Sequence, residues 1–245
     1  QPILMTSMSD GLAFTEWEPI YEAILADLGF ERRADERARD VAAELVSPFS
    51  ADHLADFENA TVAVVGAAPT LATELDAFDP GSVDAVVAAS TAVDVLADAG
   101  IAVDLMVTDL DKNTETACEL THDGIGVAAH AHGDNIPAVR EWLPQFDSQH
   151  TMVTTQAAPR GSVSNFGGFT DGDRAAFIAD AFGASELRFL GWDIDDPAVE
   201  PMKARKLRWA EHLLYWLERR RGDRFGMLDG RRESLTTDLT TVSTG

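Results

Sequence analysis

The feature that most constrains this chain is a rhythm that begins near residue 61. Short apolar runs alternate with helical stretches from there to about residue 221. The runs are Thr61–Val65, Ala85–Ala89, Asp104–Thr108, Gly126–Ala131, Thr151–Thr155 and Leu187–Leu190. They are continuous rather than alternating, as strands covered on both faces should be. Helices are expected over 70–77, 91–99, 113–121, 135–143 and 172–183, with a long one over 202–221. Such alternation predicts an α/β fold, a mostly parallel sheet with helices on both faces. Two more helices, 16–29 and 31–47, are expected ahead of it. In the second, Ala38, Val41, Ala42 and Leu45 recur at helical spacing. The expected organisation is an N-terminal helical region (1–58), an α/β domain carrying the chemistry (59–230) and a flexible Ser/Thr-rich tail (231–245).

Composition narrows the function classes. Asp and Glu number 42 against 19 Lys and Arg, a formal charge of −23. Such a surface repels a phosphate backbone, so nucleic acid is not an expected partner. An apolar content of 45% argues for a folded chain rather than a disordered one. The acidity instead suits a halophilic protein, because at 1 M salt the Debye length falls to about 3 Å and self-repulsion is screened. The chain is expected to loosen in dilute buffer. Its one cysteine, Cys118, cannot form an internal disulfide, which fits a reducing cytoplasm. No apolar run approaches the roughly 20 residues that a membrane span needs. The start, Gln1 to Met5, lacks the pattern of a secretory signal and reads as a trimmed end.

In a parallel sheet of this kind, ligands bind beyond the carboxyl ends of the strands. Five polar motifs fall there or close by. Gly66-Ala67-Ala68-Pro69 links a strand to a helix start and could offer backbone N–H groups to phosphate, or be an ordinary turn. Asp109 and Asp111 are two apart at a strand end, so both carboxylates are expected on one side, suited to Mg²⁺. The alternative is a helix-capping acid with a solvated neighbour. His130-Ala131-His132-Gly133-Asp134-Asn135 repeats the two-residue spacing with imidazoles, which could bind a transition metal or donate to phosphate or a heterocycle. Asn165 to Arg174 contains Gly167 and Gly168, which permit close backbone approach. Thr170 or Asp171 could cap the next helix. Arg174 then sits in a first helical turn, where a cation needs an acid or ligand beside it. Lys203 and Lys206, two of only three lysines, share a helix face and could reach a polyphosphate or simply face solvent.

Taken in order, these motifs resemble the archaeal 6-hydroxymethyl-7,8-dihydropterin pyrophosphokinases, a family related in fold to thiamine pyrophosphokinases. The resemblance covers nearly the whole chain. It is carried by Trp17 to Tyr21, Thr108 to Asp111, His130 to Asn135, Asn165 to Arg174, Gly191-Trp192-Asp193 and Lys203 to Leu207. It implies Mg²⁺-dependent transfer of a pyrophosphoryl group from ATP to a pterin hydroxymethyl oxygen, releasing AMP, in folate- or methanopterin-type cofactor synthesis. Asp109 and Asp111 are then the metal ligands. His130, His132 and Asp134 join them as catalytic residues. Substrate binding is expected from Asn135, Gln156, Asn165, Gly167, Gly168, Thr170, Asp171, Asp173 and Arg174. Nucleotide binding is expected from Gly66, Ala67, Trp192, Asp193, Lys203 and Lys206. The sequence departs from the family at Ala68 and Lys112, where glycine is usual, and at Ser90, where an acid is usual. These departures leave open a slower or altered enzyme, or a non-catalytic nucleotide- or pterin-binding protein. A glycosyl transferase using Asp109 and Asp111 on a sugar nucleotide is a further alternative. A homodimer is a further expectation.

Overall fold

The structure is a computed structural model, and it describes residues 12–245. Gln1 to Met5, read above as a trimmed end, lie outside the described residues. Two helices, α1 (Phe14–Leu28) and α2 (Arg32–Leu45), come first. Seven strands follow: β1 (Thr61–Val65), β2 (Ala85–Ala89), β3 (Leu105–Thr108), β4 (Gly126–Ala131), β5 (Thr151–Thr155), β6 (Val163–Ser164) and β7 (Glu186–Leu190). Between them lie α3 (Leu71–Leu75), α4 (Ala92–Asp98), α5 (Thr114–His122), α6 (Ile136–Trp142) and α7 (Asp171–Ala181), and α8 (Pro201–Arg221) comes after. The strand order is β6-β5-β4-β3-β2-β1-β7, and all six pairings are parallel. The expected α/β architecture is therefore the one present. Only β6 had no counterpart in the sequence reading; its two residues are too few to show a pattern.

Every strand but the two-residue β6 divides its side chains between two apolar layers. Val62, Val64, Val87, Leu105 and Val107 face a layer built from α1, α7 and α8. Ala63, Val65, Val86, Ala88 and Met106 face the other, built from α2 to α6. This is the period of two expected of a sheet, with both faces apolar because both are covered. Burying a side chain such as Val87 or Leu105 contributes roughly 1.5–3 kcal/mol, so the sheet is held from both sides.

The topology creates one switch point. From β1 to β6 the strands are laid down in one direction. The chain then returns through α7, which packs on β1, β2 and β3, and sets β7 on the far side of β1. The helix pair at the start also changes layer, α1 joining one and α2 the other. Arg32 ties the pair together through Glu18 at 2.6 Å, Glu36 at 2.9 Å and Glu22.

The C-terminal tail packs back on the helices. Residues 231–245 were expected to be flexible, yet Leu239 is buried and Thr244 docks on α1. Its hydroxyl and backbone N–H both donate to Asp27, which also accepts from the Trp209 indole at 2.9 Å. A Ser/Thr-rich composition signals mobility only when its donors lack a partner, and here a carboxylate supplies one. Among the described residues, no helix is long and apolar enough to cross a membrane.

Candidate active site

The carboxyl ends of the strands open into a cavity of about 700 Å³. Loops after all seven strands contribute to its wall, together with the α1–α2 turn and the start of α8.

The β3 loop sets the carboxylate pair. The two-residue spacing predicted a strand-end arrangement, but β3 stops at Thr108 and the pair stands in a turn. Leu110 adopts a left-handed conformation, φ +63°, with its side chain buried in the apolar layer below. The carboxylates on either side of it both line the cavity. The Asp111 N–H donates to Asp109 at 3.3 Å, and the Leu110 N–H donates to the Thr108 hydroxyl at 3.1 Å. A non-glycine residue in this region costs on the order of 1–3 kcal/mol, a strain typical of functional turns.

The two carboxyl groups are pushed apart in acidity. Burial opposes ionisation of Asp109, but the neighbouring His132, Asp111 and Arg174 hold it well below the usual carboxylate range. Asp111 is pushed up to about 6 by burial and by the neighbouring Asp109. Two carboxylates this close need a proton or a cation between them. Among the described residues, no group of three or more His, Cys, Asp or Glu converges as a full metal cage. Two hard oxygen donors facing an open cavity are nonetheless the set that Mg²⁺ takes, with water and phosphate oxygens completing its shell. The residues present therefore fit that ion.

The β4 and β5 loops form the next part of the wall. His132 Nε2 lies 3.7 Å from Asp109. His130 is almost fully buried; its Nδ1 is 2.9 Å from the Thr154 hydroxyl and its Nε2 is 3.4 Å from Gln156 Oε1. Burial, Arg174 and His132 hold its pKa well below that of free histidine, so it stays neutral. Asp134 and Gln156 also line the cavity.

After β6, Asp173 caps α7 by accepting from the N–H groups of Phe169 and Thr170 at 2.7 and 2.8 Å. Arg174 donates to Asp171 at 3.0 Å and to the Phe169 carbonyl at 2.9 Å, the pairing its place in the first turn requires. Its Nε is buried without a partner. Asp171 is raised well above its ordinary pKa by burial and by the charge of Asp109.

The loops after β1 and β7 close against each other at the switch point. The Gly66 N–H donates to Leu190 and the Ala68 N–H to Gly191, at 2.8 and 3.0 Å. A Cβ on Gly66 would lie 2.5 Å from the Gly191 carbonyl oxygen. Of the two readings open for this turn, phosphate cradle or ordinary turn, the Gly66 and Ala68 donors favour the second, since both are spent on the neighbouring loop. Ala67, Trp192, Asp193, Lys203 and Lys206 line the cavity beside them, and Lys206 Nζ sits 5.5 Å above the Phe30 ring.

Five of the expected binding residues are not in the wall. Asn135 braces it, donating to the Asp109 and His130 carbonyls at 2.6 and 2.7 Å. Asn165 bridges Ala157 and Gly167, each at 2.8 Å. Gly168 lets the loop pass α7, where a Cβ would meet the Arg174 Cα at 2.4 Å, and Gly167 packs on Phe177. Asp173 is spent on the cap. Conversely, Phe30, Glu31 and Asp35 line the cavity without having been singled out. Asp35 left one trace in the sequence: it shares the buried face of α2 with Ala38 and Ala42, where an acid is out of place. Of the three departures, Ala68, Ser90 and Lys112 all line the cavity. Ser90 has φ +44° and a buried hydroxyl with no partner.

Comparison with known proteins assigns the chain. The model of the 6-hydroxymethylpterin diphosphokinase MptE-like family matches residues 38–198. The chain belongs to this family. A 6-hydroxymethyl-7,8-dihydropterin pyrophosphokinase of Methanothermobacter thermautotrophicus is 37% identical over 227 residues, covering 83% of this chain and 94% of the relative. Proteins of the same name from Pyrococcus furiosus and Methanocaldococcus jannaschii are 35% and 28% identical, covering 84% and 83% of this chain and 95% of each relative. In this MptE-like chain, Phe30, Glu31 and Asp35 precede the matched segment, yet they complete the cavity wall.

Proposed function

We propose that this protein is a Mg²⁺-dependent 6-hydroxymethyl-7,8-dihydropterin pyrophosphokinase that uses ATP and releases AMP. The observation that carries the reading is one cavity in which the Asp109–Asp111 carboxylate pair and the lysines of α8 meet. The chain's relatives bear the name of that activity.

The substrate's hydroxymethyl oxygen attacks the β-phosphorus of ATP. The bond from that phosphorus to the oxygen bridging it to the α-phosphorus breaks, and AMP leaves with that oxygen. Such transfer asks mainly for positioning and for neutralisation of charge. Asp109 and Asp111 would hold Mg²⁺, which supplies charge neutralisation at the phosphate oxygens. Lys203, Lys206 and Arg174 balance the charge on the migrating group and on AMP. His132 is the better proton acceptor of the two histidines. It is partly exposed beside Asp109, whereas both ring nitrogens of His130 are engaged by Thr154 and Gln156. Gln156 and Asp134 face the pterin, with the rings of Phe30 and Phe169, 6.4 Å apart and 23° from parallel, as the flat surface beside it. A reducing cytoplasm of high salt content suits the lone Cys118 and the charge of −23.

Incubation with ATP, Mg²⁺ and 6-hydroxymethyl-7,8-dihydropterin tests this directly. AMP and a pterin diphosphate are the expected products. ADP would mean ordinary kinase chemistry, and binding without turnover would favour the non-catalytic alternative raised by Ser90.

A further inference from the structure

Helix α2 brings one charged side chain, Asp35, to the cavity wall. Its carboxylate is 5% exposed and takes three donors: the Tyr21 hydroxyl at 2.7 Å, the Gln156 Nε2 at 2.7 Å and the Gly133 N–H at 2.8 Å. Trp17 and Tyr21 are fully buried on α1, and the Trp17 indole donates to the Gln156 carbonyl at 2.9 Å. Both ends of Gln156 are therefore gripped from the helix pair.

The grip has a direction. An ionised carboxylate only accepts hydrogen bonds, so Gln156 must turn its NH₂ toward Asp35. Its Oε1 is then the atom that meets His130 Nε2, at 3.4 Å. An amide oxygen only accepts, so the proton of the neutral imidazole belongs on Nε2. The other nitrogen, Nδ1, accepts from the Thr154 hydroxyl at 2.9 Å. Each choice in the series follows from the one before it, and the series begins at Asp35.

We propose that Asp35 is a positioning residue that fixes the direction of the Gln156 amide and, through it, the Nε2–H tautomer of His130. The pattern of donors and acceptors on this wall of the cavity is thus set from α2 rather than from the strands that carry it. That the wall meets a pterin rests on the function proposed above; the tautomer does not.

Replacing Asp35 with Asn reverses the series. The fixed Gly133 N–H keeps the new amide's oxygen, so its NH₂ occupies the position facing Gln156. Gln156 then turns its oxygen to Asn's NH₂ and its own NH₂ to His130. Nε2 becomes an acceptor and the ring proton moves to Nδ1, facing Thr154.

Nitrogen-15 NMR of histidine-labelled protein reads this directly, with His130→Gln assigning the resonance. The native protein is expected to show His130 as Nε2–H, Asp35→Asn as Nδ1–H, and Tyr21→Phe, which removes a donor without reversing the series, as Nε2–H again. Kinetically, Asp35→Asn is expected to raise KM for 6-hydroxymethyl-7,8-dihydropterin about ten- to a hundredfold, with KM for ATP changed about twofold or less. A native His130 carrying its proton on Nδ1, or on both nitrogens, overturns the proposal even if the variant does not fold. So does an unchanged tautomer in a folded Asp35→Asn, or an equal rise in both KM values. Absence of turnover in the native protein would remove the function proposed above and leave the tautomer result standing.

Discussion

The two sides of the cavity rim are built on different principles. On the β2–β3 side, backbone strain places charge. Three of the four non-glycine residues with positive φ among the described residues, Ser90, Leu110 and Asn113, stand there around the carboxylate pair. On the β1–β7 side, strain is avoided by removing side chains. Gly66 and Gly191 let two loops close until a Cβ on either would collide with the other's carbonyl oxygen. The cations beyond those loops stand on the regular helix α8. Arg231 braces this side by pairing with Glu211 of α8 and with Asp195 of the loop leading into it. The first side fixes a few atoms closely, as metal ligation demands; the second offers charge on longer, more mobile stems, as a polyphosphate tolerates.

That contrast can be broken. The largest effect is expected at Asp109. Asp109→Asn keeps the shape of the turn and removes one negative charge from the proposed metal site, so kcat should fall about 10²–10³-fold. The melting temperature should hardly move, because the turn is held by Leu110 and the backbone. A parallel collapse of stability in a thermal melt would mean that the pair is structural. Lys206→Ala should cost less, raising KM for ATP about tenfold by steady-state kinetics, since one flexible cation among several is lost. A loss as large as that at Asp109 would erase the difference between the two sides.

The smallest effect expected is one of pH. Asp111 gives up its proton only near pH 6, because of burial and of Asp109. Folded protein keeps a proton that the unfolded chain releases near pH 4, so this group favours the fold as pH falls and costs stability as pH rises through about 6. Metal binding carries the opposite sign, because the ion must displace that proton. At limiting Mg²⁺, kcat/KM should therefore fall as pH drops through about 6, and saturating Mg²⁺ should shift the fall to lower pH. A profile unaffected by Mg²⁺ concentration would detach Asp111 from the metal.

Much of the fold was legible because a parallel sheet covered on both faces needs continuous apolar runs, and such runs are conspicuous in so acidic a chain. The two-residue β6 and the docked tail were not, since a short strand has no period and a hydroxyl-rich segment does not announce its partner. The site was legible in part. The Asp109–Asp111 spacing marked a pair that does line the cavity, though the buried left-handed Leu110 rather than strand alternation places it there. Asn135, Asn165 and Asp173 lie in loops around the cavity, but their side chains brace those loops rather than line it. Amides and carboxylates that brace a loop have the same letters as those that bind a ligand. Asp35 and Phe30 were missed because their contribution depends on where α2 crosses the sheet.

The two sides of the rim are expected to act together on one nucleotide. Calorimetric titration of ATP into the native protein, with and without Mg²⁺, tests that most directly. Affinity should be weak without the ion, because the carboxylate pair repels phosphate, and should rise at least tenfold with it. Equal affinity in both conditions would contradict the account.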